Sequence, residues 1–501
     1  MRQVRSGPRP GVLGIVAVLL GTGLGELIAA FLLPAASPFA AIGGALIDIA
    51  PAWAKDAAIA WFGTGDKAAL LVGIAVVLLA VAFGAGMLER RRSPLGAGVF
   101  IVLGIVGAVI AVVRSDGAVL AAIPALVSGG TAALAVRGLV SLGEREEEPE
   151  RRRFLVWTAV ATASGLVALA VSNVARSASQ SVEAIRSALR LPKPATAAAP
   201  VPAAAELGIA GLAPVVTPNA AFYRIDTALV VPQVDPAEWS LRVHGMVDRE
   251  ITLTWDDLIG SALTEADVTL ACVSNTVGGD LIGNARWLGL PVREVLARAG
   301  VQADADMVLS TSIDGFTAST PLEALTDDRD SLLAVGMNGE PLPVEHGFPV
   351  RLVVPGLYGY VSATKWVTEL EVTRFDRVTA YWTTRGWSER GPIKLQSRID
   401  VPRGSVDAGE TVIAGMAWQQ HEGVGAVEVR IDGGEWQRAT LATAISDDTW
   451  VQWRLEWKAE SGSHEIECRA IGADGVTQTD AVAPPAPDGA TGWHRITVAV
   501  G

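Results

Sequence analysis

The sequence is poor in cysteine, and its first 240 residues contain no histidine. Its 501 residues include two cysteines, Cys272 and Cys468, too few for a disulfide framework, an iron–sulfur cluster or a cysteine-rich zinc site. The five histidines all lie beyond residue 240, and the haem-attachment motif C-x-x-C-H is absent. The apolar segments near the amino terminus therefore carry no histidine that could bind haem. We expect neither haem nor an iron–sulfur cluster.

The chain also lacks a basic stripe. Lysine and arginine number 40 against 53 aspartate and glutamate residues, and the net charge of −13 comes mainly from the part beyond the first third. A nucleic-acid partner needs clustered cationic side chains that neutralise its phosphates. We therefore exclude nucleic acid as a partner.

Long apolar runs are concentrated in the first third, although apolar residues make up 50% of the whole chain. Runs of about 20 apolar residues are long enough to cross a lipid bilayer. Segment 39–62 is also apolar, but Asp48, Lys55 and Asp56 favour an interfacial or re-entrant position. The sequence predicts a membrane domain over residues 1–176 with about five transmembrane helices, at 12–33, 68–88, 95–113, 118–140 and 154–174.

Arginine clusters flank these spans, at residues 2–9, 90–92 and 151–153. With five spans the clusters all fall on one side, which the positive-inside rule makes cytoplasmic. The amino terminus is then cytoplasmic, and the chain beyond about residue 175 lies outside a bacterial cytoplasmic membrane. The run Arg151-Arg152-Arg153-Phe154-Leu155 also has the layout of a twin-arginine export signal. An ordinary basic stop at a membrane face explains it equally well.

Beyond the apolar third, the composition changes twice. Residues 177–217 are rich in proline and alanine and predict a semi-extended linker. Residues 391–501 contain short alternating runs separated by turn signals, which is typical of an immunoglobulin-like β-sandwich. Cys468 lies at an inward position of one such run and is expected in its core. Residues 218–390, between these segments, form the domain that carries the candidate site.

Cys272 follows the apolar run 268–271, which predicts a strand, and precedes a glycine-rich stretch, which predicts a loop. A thiol at the end of a strand can face a pocket and bind a metal. Most free cysteines, however, are small buried hydrophobic residues. The stretch by itself leaves both interpretations open.

Three further stretches carry a family resemblance. They are WSLRVHG at 239–245, LTWDDL at 253–258 and LAVGMNGEPLPVEHGFPVRLVVPGLYGYVSATKW at 333–366. Together with Cys272 they resemble the sulfite oxidase superfamily of molybdenum–pterin oxidoreductases, over about residues 218–500. The resemblance implies an α+β molybdopterin domain at 218–390 and a carboxy-terminal dimerisation domain. The fold class is thus multi-domain: a transmembrane helical bundle, this α+β domain and an immunoglobulin-like sandwich.

The resemblance also assigns site residues. It makes Cys272 the metal ligand, and a soft thiolate suits a metal that is already held by dithiolene sulfurs. It gives Arg224 a role in orienting the substrate. Arg351 lies in an apolar strand, where an unpaired charge is costly, so we expect an anionic partner for it. The residues assigned to the pterin are Phe222, Tyr223, Arg224, Asp226, Asp314, His346, Arg351, Ser362, Ala363, Thr364 and Lys365.

The implied reaction is a two-electron oxygen-atom transfer on a small substrate of the sulfite or sulfoxide class. Departures from the family leave that choice open, because no arginine follows shortly after Cys272 and residues 381–387 offer no equivalent of the family's active-site tyrosine. The sequence does not identify the electron carrier: a quinone, for which a site near Glu26 is one hypothesis, and a redox protein both stay open. A cofactor-free membrane receptor that binds ligands through its outer domains is the alternative.

Overall fold

The computed structural model divides the chain into two compact units. Residues 1–181 form the first unit, with which residues 227–230 are grouped, and residues 182–226 and 231–501 form the second. The structure describes residues 10–32, 36–50, 66–114, 119–143, 182–228 and 231–501, together with scattered positions between 156 and 168.

The described part of the first unit is helical. Its helices are α1 (Pro10–Leu32), α2 (Pro38–Ile49), α3 (Asp66–Arg91), α4 (Leu95–Arg114) and α5 (Ala122–Gly143). In the described residues, α1, α3, α4 and α5 are long and apolar enough to cross a membrane. They coincide with four of the predicted spans. The predicted span at 154–174 lies mostly outside the described residues, as does the second half of segment 39–62.

Small residues bring these helices close together. A side chain on Gly14 of α1 would lie 2.9 Å from the backbone nitrogen of Gly86 in α3, and Gly104 of α4 meets Gly129 of α5 in the same way. Close backbone approach at glycine and alanine is typical of helix packing in lipid, where apolar burial gives little driving force between helices. The first unit thus packs as a membrane bundle does.

The second unit is rich in strands. Its helices are α6 (Val182–Ala188), α7 (Trp255–Ile259), α8 (Val292–Ala299) and α9 (Glu323–Thr326). Its first ten strands are β1 (Ser240–Gly245), β2 (Ile251–Thr254), β3 (Thr264–Ala271), β4 (Ile282–Pro291), β5 (Met307–Ser312), β6 (Thr317–Pro321), β7 (Leu332–Met337), β8 (Glu340–Pro341), β9 (Arg351–Val353) and β10 (Val367–Thr373). Nine more follow: β11 (Gln396–Val401), β12 (Ser405–Val406), β13 (Gly409–Trp418), β14 (Val424–Ile431), β15 (Gln437–Arg438), β16 (Thr440–Leu441), β17 (Val451–Ala459), β18 (Gly462–Gly472) and β19 (His494–Val500).

Strands β1–β10 form two sheets. One has the order β3-β4-β7-β8, with β9 paired to β7, and the other has the order β2-β1-β10-β5-β6. Every residue of β7 is buried, and the residues of β3 are buried from Ala266 onward, so the first sheet is covered on both faces at its centre. Its core includes Phe222, Trp287 and Phe348, beside which the candidate site residues lie.

Strands β11–β19 form two further sheets, of orders β11-β13-β17-β16 and β12-β19-β18-β14-β15. We call them the carboxy-terminal sheets. One hydrophobic core contains residues of both, among them Ile413, Val427 and Trp453. Cys468 is fully buried in this core, as its inward position predicted. Its burial raises the pKa of the thiol to about 12.

Residues 182–217, most of which were predicted to be a linker, are hydrogen-bonded along the second unit. The backbone N–H of Leu207 donates to Gln452 Oε1 over 2.6 Å, and the carbonyl of Val215 accepts from Trp450 Nε1 over 2.8 Å. A proline-rich segment forms few hydrogen bonds of its own, so its free N–H and C=O groups need partners elsewhere. Side chains from the carboxy-terminal sheets supply several of them.

Candidate functional site

Cys272 lies where the sequence pattern predicted, directly after strand β3. Residues 272–281, the cysteine loop, connect β3 to its antiparallel neighbour β4, in which Ile282 pairs with Ala271. The N–H of Cys272 donates to the carbonyl of Leu281 over 2.9 Å, and its own carbonyl accepts from Asn275 N–H over 3.1 Å. The thiol is buried, with 8% of the residue exposed. The base of the loop is therefore closed, and Cys272 starts it at a fixed position.

Phe222 and Tyr223 pack beside this strand pair. Their rings are stacked with centroids 5.3 Å apart, and Phe222 meets the ring of Trp287 edge-on at 5.8 Å. Gly283 leaves room for Phe222, because a Cβ there would lie 2.8 Å from the ring. Burial raises the pKa of Tyr223 far above its ordinary value, and a Cys272 thiolate raises it further. Tyr223 is therefore a neutral phenol beside the cysteine.

Arg351 is a buried cation without a carboxylate. Its guanidinium donates to the carbonyls of Leu352, His346 and Ala363 over 3.3, 3.2 and 3.4 Å and lies 5.1 Å above the Trp287 ring. Among the described residues no acid forms an ion pair with it. Burial lowers its pKa to about 10, which still leaves it charged at neutral pH. A buried charge with carbonyl partners alone is costly, so the position fits an anionic ligand group.

His346 lies beside Arg351, in a short 3₁₀ turn. It is 3% exposed, its Nε2 lies 3.3 Å from the carbonyl oxygen of Asn219, and its ring meets Phe222 edge-on. Burial lowers its pKa to about 3, and the positive charges of Lys365 and Arg351 act in the same direction. The imidazole is therefore neutral at physiological pH, and its one N–H can donate from Nε2 to the Asn219 carbonyl, which leaves Nδ1 as an acceptor.

Lys365, Asp226 and Arg224 form a compact ion cluster. Asp226 accepts from Lys365 Nζ over 2.9 Å and from Arg224 Nε over 2.9 Å, and Lys365 also donates to the carbonyl of Glu345 over 3.0 Å. Asp226 and Lys365 have side chains that are 5% and 10% exposed, whereas that of Arg224 is 33% exposed. Arg224 is the member of this cluster that is most accessible to a small molecule.

The remaining predicted pterin residues divide into two groups. Ser362 and Thr364 direct their hydroxyls into the interior, Ser362 Oγ to the carbonyl of Tyr358 over 2.9 Å and Thr364 Oγ1 to Ser310 Oγ at 2.7 Å. Their contribution to a ligand site is thus limited to backbone groups. Ala363 lies closer to the site, since its carbonyl accepts from Arg351.

Asp314 lies in the turn between β5 and β6. Its carboxylate accepts from the N–H of Phe316 over 3.3 Å, as an ordinary turn residue does. The turn is next to the end of segment 333–366, the longest stretch of the family signature, because the N–H of Ile313 donates to the carbonyl of Trp366 over 3.0 Å. Asp314 therefore lies at the periphery of the residues that were predicted to bind the pterin.

Tyr358 was missed by the sequence analysis. It is buried, its hydroxyl oxygen accepts from the N–H of Lys394 over 3.4 Å, and burial raises its pKa to about 12. A Cys272 thiolate contributes to that rise, which places Tyr358 within electrostatic reach of the cysteine. The available signal was its position within the signature, directly after Pro355-Gly356-Leu357.

The residues around Cys272 fit a molybdenum–pterin group. Among the described residues, no cluster of three or more histidine, cysteine or acidic side chains could hold a metal ion. A metal at Cys272 therefore needs other donors, such as the dithiolene sulfurs of a pterin. Arg351 supplies a positive charge that pairs with no acid in the part of the chain that the structure describes, and the phosphate end of such a group needs a cationic partner.

Comparison with known proteins agrees with this geometry. The oxidoreductase molybdopterin binding domain matches residues 228–382, inside the range 218–390. Human mitochondrial sulfite oxidase is 32% identical over 339 residues, covering 57% of this chain and 62% of the human protein. Chicken sulfite oxidase is 31% identical over 333 residues, covering 56% of this chain and 72% of the relative. The crystal structure of the sulfane dehydrogenase SoxCD from Paracoccus pantotrophus superposes with a TM-score of 0.49 at 22% identity, over 56% of this chain and 81% of that one.

These matches place the protein among molybdopterin-dependent oxidoreductases. The chain belongs to the sulfite oxidase family. It spans less than two thirds of the length of the human relative.

Proposed function

We propose that this protein is a membrane-bound molybdenum–pterin oxidoreductase that transfers an oxygen atom to or from a small substrate, with a two-electron change. The molybdenum, when bound, supplies that two-electron chemistry. Cys272 binds the metal through its thiolate and tunes its potential. Arg351, Lys365 and neutral His346 hold the pterin and its phosphate, and Phe222 and Tyr223 form an apolar wall beside them.

One observation carries this proposal: the buried guanidinium of Arg351 has no carboxylate partner among the described residues. Neighbouring cations have a carboxylate partner, since Lys365 and Arg224 share Asp226, although one carboxylate compensates only one of the two charges. Arg351 makes three long hydrogen bonds to carbonyls, and these do not neutralise its charge. Keeping such a charge in a folded interior is understandable if a bound anion compensates for it.

The arginines that could attract an anionic substrate differ in their partners. Arg224 is paired with Asp226, and Arg286 donates to both oxygens of Asp267 over 3.1 and 2.7 Å. Arg385 lies 3.5 Å above the ring of Tyr381. Electrostatic attraction of sulfite needs cations that are not already neutralised. Asp226 cannot neutralise both Lys365 and Arg224, and an aromatic ring does not neutralise Arg385, so sulfite and a sulfoxide both stay within the proposed substrate class.

The finer assignments follow from the same proposal. The four long apolar helices support attachment to a lipid bilayer. The arginine clusters support a cytoplasmic amino terminus and an extracytoplasmic catalytic domain, and the carboxy-terminal sheets support an immunoglobulin-like module used for dimerisation. An apolar cavity of about 720 Å³ in the first unit, lined by Thr22 and Phe39 among others, supports a membrane quinone as the electron carrier.

Elemental and pterin analysis of the detergent-purified chain tests the proposal. We expect molybdenum and pterin near one per chain, and turnover of sulfoxide reduction or sulfite oxidation that Cys272→Ser abolishes. The variant should keep its pterin and its thermal midpoint, because serine has nearly the volume of cysteine. A folded wild-type chain that contains neither molybdenum nor pterin would refute the proposal and favour a receptor.

A further inference from the structure

Hydrogen bonds within the cysteine loop join its two arms near the base, next to Cys272, but hold its outer part only weakly. Near Cys272, the side chain of Asn275 accepts from the N–H of Leu281 over 2.9 Å and so ties the two arms together. The outer part, at Gly278 and Gly279, turns back through a single bond from Gly279 N–H to the carbonyl of Thr276. Two glycines without side chains make this outer part easy to displace. Its position therefore depends on what it contacts.

A buried arginine of the carboxy-terminal sheets holds the outer part. Arg398 Nη1 donates to the carbonyl of Gly279 over 2.7 Å. The same guanidinium donates to both carboxylate oxygens of Asp400, over 2.7 and 3.2 Å, and the two side chains are 7% and 0% exposed. Because Asp400 binds Nε and Nη2 and so fixes the plane of the guanidinium, Nη1 is directed at the loop.

His494 limits the movement of the loop by a steric contact from the same sheets. Gly278 has a φ of +77°, and a Cβ there would lie 2.2 Å from His494 Nε2, so the backbone packs directly against the imidazole. The ring is fixed in turn, because its Nδ1 accepts from the N–H of Ile399 over 2.9 Å. The loop thus has an attractive contact at Gly279 and a steric stop at Gly278.

The strand before the cysteine is bonded to loops that connect strands of the carboxy-terminal sheets. Thr269, three residues before Cys272, donates its N–H to the carbonyl of Asp448 over 3.0 Å, and its hydroxyl accepts from Trp450 N–H over 2.9 Å. Its carbonyl accepts from Gln420 Nε2 over 3.1 Å. The chain on both sides of Cys272 is therefore bonded to a part of the molecule more than 100 residues further along the sequence.

We propose that Arg398 and His494 are positioning residues for Cys272: the carboxy-terminal sheets orient the thiolate toward the metal through the carbonyl of Gly279 and the backbone of Gly278. The proposal rests on the proposed function for the identity of the metal, but not for the position of the thiol. It gives the carboxy-terminal sheets a task within each chain, in addition to any role in dimerisation.

The test compares Arg398→Met with Arg403→Met in the full chain. Arg403 is 76% exposed and also contacts Asp400, at 3.6 Å, but no described contact joins it to the loop. The first readout is the rate at which iodoacetamide alkylates Cys272 in metal-free chain from molybdenum-starved cells, measured by peptide mass spectrometry. Cys468 in the core serves as an unreactive internal standard. The other readouts are molybdenum retained on dialysis and the midpoint potential of the loaded protein.

We expect Arg398→Met to speed the alkylation of Cys272 and to lower molybdenum retention about 10–100-fold, as loss of a residue that orients a ligand typically does. The midpoint potential should shift as well, while Arg403→Met changes none of the three readouts. If Arg398→Met does not fold, Gly278→Ala provides the second test, because it forces the loop away from His494 and leaves the Arg398–Asp400 pair intact. A folded variant of either kind with unchanged alkylation, retention and potential would overturn the proposal. If the wild type contains no molybdenum, the proposed function fails, but the alkylation rates still decide the positioning.

Discussion

The two units of this protein differ in the longest distance along the chain over which their buried carboxylates find partners. In the first unit, the carboxylate of Glu26 accepts from the hydroxyl of Ser37, 11 residues away, and Glu89 accepts from Ser93 and from the N–H of Ala97. In the second unit, Lys365 reaches Asp226 across 139 residues. Helices satisfy their own backbone groups, so several polar contacts in this unit are made at the next turn or loop, although Glu89 also lies 3.9 Å from Arg137, 48 positions further along. Sheets assembled from distant strands bring together charges that are far apart in the sequence.

This difference indicates which unit can hold a polar reactive site. In the second unit, residues of β11 and β19 contact the loop that joins β3 to β4, so a change in one sheet can affect another. Predictions that contrast the two units test this directly, and the largest effects should occur where a charge has the fewest protein partners.

Arg351→Met should give effects of opposite sign on cofactor binding and on stability. Loss of the guanidinium should weaken retention of the pterin by about 2–5 kcal/mol, that is by roughly 30-fold or more, because the phosphate loses its buried partner. The stability of the cofactor-free chain should stay equal or rise, because a poorly compensated buried charge has been removed. Pterin content and the thermal midpoint of the cofactor-free chain measure the two effects. A cofactor-free variant with a much lower midpoint would mean that Arg351 is structural.

Acid should destabilise the second unit through His346. Its folded-state pKa of about 3 lies below the ordinary 6.5, so below pH 6.5 the unfolded chain binds a proton that the folded chain does not. This contribution to stability is complete above pH 6.5 and is lost as the pH falls toward about 3, by about 1 kcal/mol per pH unit. His346→Gln should flatten the dependence of the denaturation midpoint on pH between 5 and 6.5.

His464 provides the matched control for that measurement. Its pKa is raised by its hydrogen bond to Asp432, so its contribution is present at low pH and is lost as the pH rises through the folded-state pKa. His464→Gln should therefore change the pH dependence in the opposite direction. The same flattening in both variants would contradict the assignment to burial of His346.

Glu26→Gln in the first unit should have the smallest effect. A glutamine oxygen can still accept from Ser37 and from the N–H of Phe39, so we expect the stability of the bundle to change by about 1 kcal/mol or less. The thermal midpoint in detergent measures it, and a large loss would show that the charge itself holds α1 to α2. Electron transfer to an added quinone, measured on the same variant, tests the carrier: unchanged coupling would remove Glu26 from the quinone site.

The sequence predicted much of the fold because its signals are local. Apolar runs of helical length located α1, α3, α4 and α5, and the alternation beyond residue 390 located the strands of the carboxy-terminal sheets. The family signature identified Arg351 and His346, and both are buried. Arg351 has no carboxylate partner among the described residues, and the anionic ligand expected for it stays a prediction. Residues 182–217 were harder, since a proline-rich composition describes the absence of helices and strands but not the partners of the free backbone groups.

The side-chain contacts of the site were less predictable, because they join residues that are far apart in the sequence. The sequence could not show that Lys365 and Arg224 share one carboxylate, or that the hydroxyls of Ser362 and Thr364 turn away into the interior. Tyr358 stood in the signature without a visible role until the fold placed it near Cys272.

By itself the sequence determined the class of this protein, a molybdenum–pterin oxidoreductase with apolar helices. The signals were the apolar runs, a cysteine directly after a strand and the family signature. Tertiary structure alone decided which charges are compensated and what holds the cysteine loop. The physical reason is that hydrophobic patterning repeats over a few residues and is visible in any window. A buried ion pair or a loop contact, such as that of Arg398 with Gly279, depends on strands more than 100 residues apart meeting in one place.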